Sequence, residues 1–217
     1  MIKRKINDFT LFEEVWHAIS HGFGLFLSTF GFGVLFALSL MSGDGAKIWT
    51  SIVFGIGLII MYGASTLYHA IPQYRPKILL QIFDHASIYI LIASTYTPVV
   101  VLGVEGVFGW IVLGIIWFFA VLGIYLKFVF PGRFEVFSLS LYAVMGWMII
   151  VAVNPLLAHA GWLFFSLLLA GGLTYTLGIF FYVKENIKLN HVLWHFFVLG
   201  GSVFHFFAVL LLILDVK

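Results

Sequence analysis

The sequence contains no cysteine and very little charge. None of its 217 residues is Cys, and Asp, Glu, Lys and Arg together make up 9%. The first absence excludes disulfides, thiolate metal sites and cysteine nucleophiles. The second excludes a soluble domain, because soluble domains carry about 25% charged residues. A formal net charge of +2 gives no basis for binding nucleic acid. The opening "MIKRKINDFTLFEEVWH" lacks the short apolar core and small-residue cleavage site of a secretory signal peptide.

What the chain does have is apolar length, with 63% hydrophobic residues. A helix needs about 20 mostly apolar residues to cross a bilayer. Seven stretches meet that need, at roughly 18–41, 48–71, 79–102, 107–129, 135–153, 161–183 and 191–214. The breaks between them read "SGDGAK", "IPQYRPK", "GVEG", "FPGRFE", "NPLLAHAG" and "KENIKLN". Strand-like alternation is absent, so a β-barrel is not expected. The expectation is an all-α polytopic membrane protein, a seven-transmembrane-helix bundle forming a single domain over 1–217.

Basic residues orient it, since cytoplasmic loops are enriched in Lys and Arg. With the N-terminus inside, Lys3, Arg4, Lys5, Arg75, Lys77, Lys127, Arg133, Lys184 and Lys188 fall on the inner side. Only Lys47 and Lys217 fall outside. The N-terminus is therefore expected in the cytoplasm and the C-terminus outside.

Ionisable groups within membrane segments are costly and mark function. Here they gather at one depth. Helix 1 begins with Glu13, Glu14, His17, Ser20 and His21; helix 2 ends with Ser65 and His69. Helix 3 begins with Asp84 and His85, and helix 7 with His191 and His195. All four ends lie in the cytoplasmic leaflet. His191 and His195 are four apart and share a helix face, a spacing that can grip one metal ion. A short turn between helices 2 and 3 brings His69 and Asp84 to similar depth. Three imidazoles and a carboxylate without thiolates suit Zn²⁺, and three protein ligands leave a fourth position open, as in catalytic zinc sites.

Other polar residues have plainer readings. His205 is about 15 Å deeper than His195 by helix rise, too far to share its metal, and reads as a packing or hydrogen-bonding residue. His159 falls in an outer loop. Glu13 and Glu14 read as a polar helix start, where acidic residues are favoured. Glu105, Glu135, Glu185 and Asp215 are loop or terminal residues without an assigned role.

The stretches "EEVWHAISHGFG", "STLYHAIP", "FDHASIYILIASTYTP", "LYAVMGW", "GGLTYTLGIFFY" and "HVLWHFFVLGGSVFHFFAV" resemble the successive signatures of bacterial hemolysin III-type proteins. These belong to the progestin and adiponectin receptor (PAQR) family, within a superfamily that includes alkaline ceramidases. The resemblance spans nearly the whole chain. It implies a zinc ion on His69, His191 and His195, with Asp84 contacting the water at the metal and Ser65 as the motif serine. It also implies residence in the bacterial cytoplasmic membrane. Relatives often have Asn where this chain has His17, a departure that weakens any role carried over to helix 1.

The leading expectation is a zinc-dependent hydrolase of a lipid amide or ester, with a membrane lipid as substrate or ligand. Asp84 would act as general base and Ser65 as a hydrogen-bonding partner. The rivals are a receptor or sensor with structural zinc, a proton-coupled transporter or channel, and a membrane-lytic hemolysin. A polar path across the whole membrane would favour transport, and the outer half is sparse in polar groups. A secreted pore-former needs a soluble state that this composition does not provide.

Overall fold

The computed structural model describes residues 9–104, 106–184 and 186–216. Lys3, Arg4, Lys5 and Lys217 of the charge reading, and Glu105 and Glu185, lie outside them. No strand occurs among the described residues. The helices are α1 (Leu11–Ser42), α2 (Gly45–Ala70), α3 (Tyr74–Gly103), α4 (Gly106–Val129), α5 (Glu135–Trp147), α6 (Val153–Val183) and α7 (Asn190–Ile213). A 3₁₀ segment, Met148–Ala152, joins α5 to α6.

Local chemistry sets the ends. Thr10 caps α1, and its backbone N–H donates to the Glu13 carboxylate at 2.8 Å while the Glu13 N–H donates to Thr10 Oγ1. Gly43 ends α1 in the left-handed region (φ 68°), a conformation that costs glycine nothing. Asp44 follows as the cap of α2, accepting from the Ala46 N–H at 2.7 Å.

Six helical runs among the described residues are long and apolar enough to cross a membrane. They are α1 to α4, the 49-residue run Glu135–Val183, and α7. Two expected spans thus fall within one run, and the loop expected over 154–161 is corrected. That segment, including His159, is helical up to Gly161, where the backbone leaves helical geometry (φ 78°, ψ 179°). Pro155 sits in the first turn of α6, where a missing N–H does no harm.

The molecule is apolar outside and partly polar inside. Phe26, Phe30, Trp110 and Phe118 are exposed, whereas His17, His21, Ser28, Ser39, Thr50, Ser51 and Ser65 are buried. The buried stripe of α1 runs His17, Ser20, His21, Gly24, Ser28, Gly31, Leu35 and Ser39, so its inward face is small and polar. In lipid, helices gain from close backbone approach and from hydrogen bonds across helices, and an exterior of Phe and Leu dissolves in the acyl chains. The chain is a multi-pass integral membrane protein.

α1 lies between α2 and α7, α2 packs on α3, α3 on α4, and α6 on α7. Two apolar clusters fill the interior. One joins Leu35, Phe54, Leu58, Leu91, Val198 and Val209, the other Tyr89, Val99, Ile116, Met145, Leu156 and Phe164. The first holds α1, α2 and α7 together, and their polar ends converge beside it.

Candidate metal centre

His69 closes α2, while His191 and His195 open α7. One nitrogen of each lies within 4.8 Å of the others. The structure therefore brings together the three histidines expected from the sequence. His69 and His195 are buried.

Their other nitrogens are held by α1. His69 Nδ1 lies 2.6 Å from Glu14 Oε2, and Glu14 Oε1 lies 2.8 Å from the Lys77 ammonium. An ionised carboxylate only accepts, so His69 carries its proton on Nδ1 and leaves the Nε2 lone pair bare. Nε2 is buried and has no hydrogen-bond partner. His195 Nδ1 lies 2.9 Å from Ser20 Oγ, whose hydroxyl donates to the His17 carbonyl at 2.9 Å. Ser20 Oγ is therefore left as acceptor, Nδ1–H of His195 donates to it, and only Nε2 of His195 remains to ligate. Metal-binding histidines have this arrangement, with the second nitrogen oriented by a carboxylate or another acceptor. The donor set and the bare Nε2 fit a zinc ion held by His69, His191 and His195. Phe9 covers the cluster, its ring 4.6 Å from that of His17 and 5.0 Å from that of His191.

Ser65 and Asp84 do not join the ligand group. They line one cavity with His21, His85, His191 and His195. That cavity follows α3 from Asp84 to Val99 and α7 from His191 to His205, about 20 Å by helix rise. Its wall beyond the histidines is mostly apolar, with Ile92, Leu139, Ile150, Phe165 and Val198 among the lining. Asp84 Oδ2 is 3.6 Å from His85 Nδ1, which donates to the Gln81 carbonyl at 2.7 Å. His205 also lines the cavity, with Nε2 3.2 Å from the Leu168 carbonyl.

Several assignments change. Glu13 serves the helix start, but Glu14 turns inward to His69 and Lys77. The reading of Glu14 as only a polar helix start is therefore corrected, and His17, Ser20 and His21, expected at the same depth, also touch the cluster. The ring of His21 stacks on His195 with centres 3.5 Å apart. Lys77, counted as a loop charge, is buried on α3 and paired. Glu135 pairs with Lys127 at 2.7 Å, and Asp215 with Lys47 at 2.6 Å. The helix-1 signal was present as a period, with residues 14, 17, 21, 24 and 28 on one face.

A family model described as Haemolysin-III related matches residues 9–206. "Hemolysin-3 homolog" of Bacillus subtilis is 42% identical over 202 residues, covering 93% of this chain and 95% of that protein. "Hemolysin-3" of Bacillus cereus is 42% identical over 202 residues, covering 93% of this chain and 92% of that protein. Human "Monocyte to macrophage differentiation factor" is 25% identical over 206 residues, covering 92% of this chain and 84% of that protein.

Proposed function

This chain belongs to the haemolysin-III related family, and from that premise we propose that it is a zinc-dependent hydrolase of a lipid amide or ester. It crosses the bacterial cytoplasmic membrane seven times, N-terminus inside, and works from within the cytoplasmic leaflet. The observation that carries the reading is the meeting of three imidazole nitrogens within 4.8 Å at the polar end of a long, mostly apolar cavity.

Zinc, when bound, supplies Lewis-acid activation of a carbonyl and of water at neutral pH. The chain's own residues do the rest. Glu14 and Ser20 fix the histidine tautomers. Asp84, on the cavity wall, accepts the proton of the attacking water and returns it to the leaving group. Ser65 holds the polar link of the substrate or the Asp84 carboxylate by a hydrogen bond. The apolar wall along α3, α5, α6 and α7 takes the acyl chain, so a substrate arriving through the bilayer presents its amide or ester at the histidine end.

A second reading, a receptor or sensor whose zinc is structural, draws on the way the cluster ties α1, α2 and α7 together. Metal analysis of detergent-purified protein separates the two when combined with lipid-amide hydrolysis. His191→Ala is expected to lose stoichiometric zinc. Asp84→Ala is expected to keep its zinc and lose hydrolysis. Wild-type protein without metal sinks the proposal, and undiminished hydrolysis by Asp84→Ala leaves the structural reading.

A further inference from the structure

Beyond the histidine cluster the cavity wall carries polar side chains among the apolar ones, and those of Thr95, Tyr96, Trp147, Tyr175 and Thr176 are engaged. Thr95 donates to the Leu91 carbonyl at 2.8 Å and Tyr96 to that of Met145 at 2.7 Å. Trp147 donates to the Thr176 hydroxyl, which donates in turn to the Gly172 carbonyl. The Tyr175 hydroxyl lies 2.8 Å from Ser202 Oγ. His205, on the same wall, is different. Its Nε2 meets the Leu168 carbonyl at 3.2 Å, while Nδ1 is buried without a hydrogen-bond partner among the described residues. Buried polar nitrogens are normally paired.

The chemistry of that nitrogen follows from its surroundings. A carbonyl only accepts, so Nε2 carries the hydrogen and Nδ1 of the neutral ring presents a lone pair. Leu168, Gly171 and Tyr175 pack around the ring, and none supplies the counter-charge that a cation in a membrane segment needs. The ring is held in place. A Cβ at Gly171 would come 2.3 Å from Nε2, so the glycine is what lets α6 lie close enough for the Leu168 bond. The ring of Tyr175 stands edge-on to His205 with centres 5.3 Å apart, but its hydroxyl goes to Ser202. The wall therefore offers one fixed acceptor that the protein itself leaves unused.

We propose that Nδ1 of His205 accepts a hydrogen bond from a hydroxyl on the bound lipid, so that the cavity selects an acyl chain hydroxylated near its middle. The inference rests on the acyl-chain reading above and narrows its substrate class. His205 stands about 15 Å beyond His195 by helix rise, and an extended chain advances about 1.2 Å per bond. The hydroxyl then falls about twelve bonds from the carbonyl at the histidine end. A keto group at that place would set its oxygen against another lone pair, and a plain chain would leave the nitrogen unpaired.

The test measures binding to full-length protein in detergent by competition with radiolabelled octadecanoic acid. The competitors are octadecanoic, 12-hydroxyoctadecanoic and 12-oxooctadecanoic acids, which contain no amide or ester and so cannot be hydrolysed. Wild-type protein is expected to hold the hydroxy acid about 2- to 10-fold more tightly than either of the others, the worth of one neutral hydrogen bond. His205→Leu, which has no ring nitrogen, is expected to lose that preference. Equal affinity for the hydroxy and plain acids in wild type overturns the inference, as does a keto acid that binds as tightly as the hydroxy acid. A preference that persists in His205→Leu overturns it too. If His205→Leu fails to fold, the wild-type ranking of the three acids still decides, because only the hydroxy acid has a hydrogen to give at that carbon. Binding of none of the three would overturn the acyl-chain reading along with this inference. A hydroxyl preference in a protein that hydrolyses no lipid would leave the inference standing and remove only the hydrolase.

Discussion

Glu14 shows what a single side chain does in this membrane interior. Its carboxylate joins α1 to α2 through His69 and to α3 through Lys77, which is 3% exposed. Removing one partner of a buried ion pair leaves the other charged and uncompensated, at a cost of about 3–5 kcal/mol. Glu14→Ala is therefore expected to lower thermal stability in detergent even after chelation, when metal loss contributes nothing. Glu14→Gln keeps an acceptor for His69 but loses the charge. It is expected to weaken metal binding roughly 10- to 100-fold, as losses of such orienting groups do, measured by chelator competition. Unchanged affinity in Glu14→Gln would mean that the His69 tautomer is set by something else. The three histidines that meet were legible in the sequence because His-x3-His and Ser-x3-His carry their spacing openly. Glu14 was not, because two adjacent glutamates at a helix start look equivalent. Which one reaches back to Thr10 and which reaches inward depends on the helix's rotation, and tertiary packing fixes that.

At the scale of elements, the long run from Glu135 to Val183 shows how one signal supports two structures. Asn154, Pro155 and Gly161 read as a loop in the sequence. Pro155 instead falls where a helix tolerates it, and only Gly161 takes a conformation that an L-residue rarely adopts. α2, α4 and α7 were legible nearly to their ends, because an apolar run bounded by turn residues leaves few alternatives, whereas α1 and α3 begin at Leu11 and Tyr74, before the apolar runs expected from 18 and 79. The 3₁₀ segment had no sequence signal, since its cause lies on another helix. Tyr96 of α3 donates its hydroxyl to the Met145 carbonyl at 2.7 Å, near that of Gly146, and accepts from the Ile149 N–H at 2.8 Å. It satisfies backbone groups that the change of helix type sets free, and Gly146, Ile149 and Ile150 there form part of the cavity wall. Tyr96→Phe leaves a buried N–H without its acceptor, which costs about 1–3 kcal/mol. Thermal unfolding should show that loss while zinc content stays at the wild-type level, because the cluster lies at the far end of the cavity. Loss of zinc in Tyr96→Phe would show that the α5–α6 break and the metal centre are coupled.

Across the whole molecule, the proposed site needs one orientation: histidines in the cytoplasmic leaflet and termini on opposite sides. The number of crossings decides this, because an even number returns both ends to one face. The Glu135–Val183 run is where the count turns, since its 49 residues would extend about 70 Å as a straight helix, more than twice the hydrocarbon core. A bend at Gly161 into two crossings would make seven, the number proposed above. The absence of cysteine gives a direct test, because any introduced thiol is the only one in the chain. Thr10→Cys and Val216→Cys mark the ends of the described chain, and Arg133→Cys and Lys188→Cys mark two loops counted as cytoplasmic. In intact cells a membrane-impermeant maleimide is expected to label Val216→Cys alone, with the other three reacting only after permeabilisation. Labelling of Thr10→Cys and Val216→Cys from the same side would reduce the crossings to an even number. Outside labelling of Thr10→Cys and Lys188→Cys would move the histidine cluster to the opposite leaflet, and a substrate reaching it would then have to come from the outer half of the bilayer.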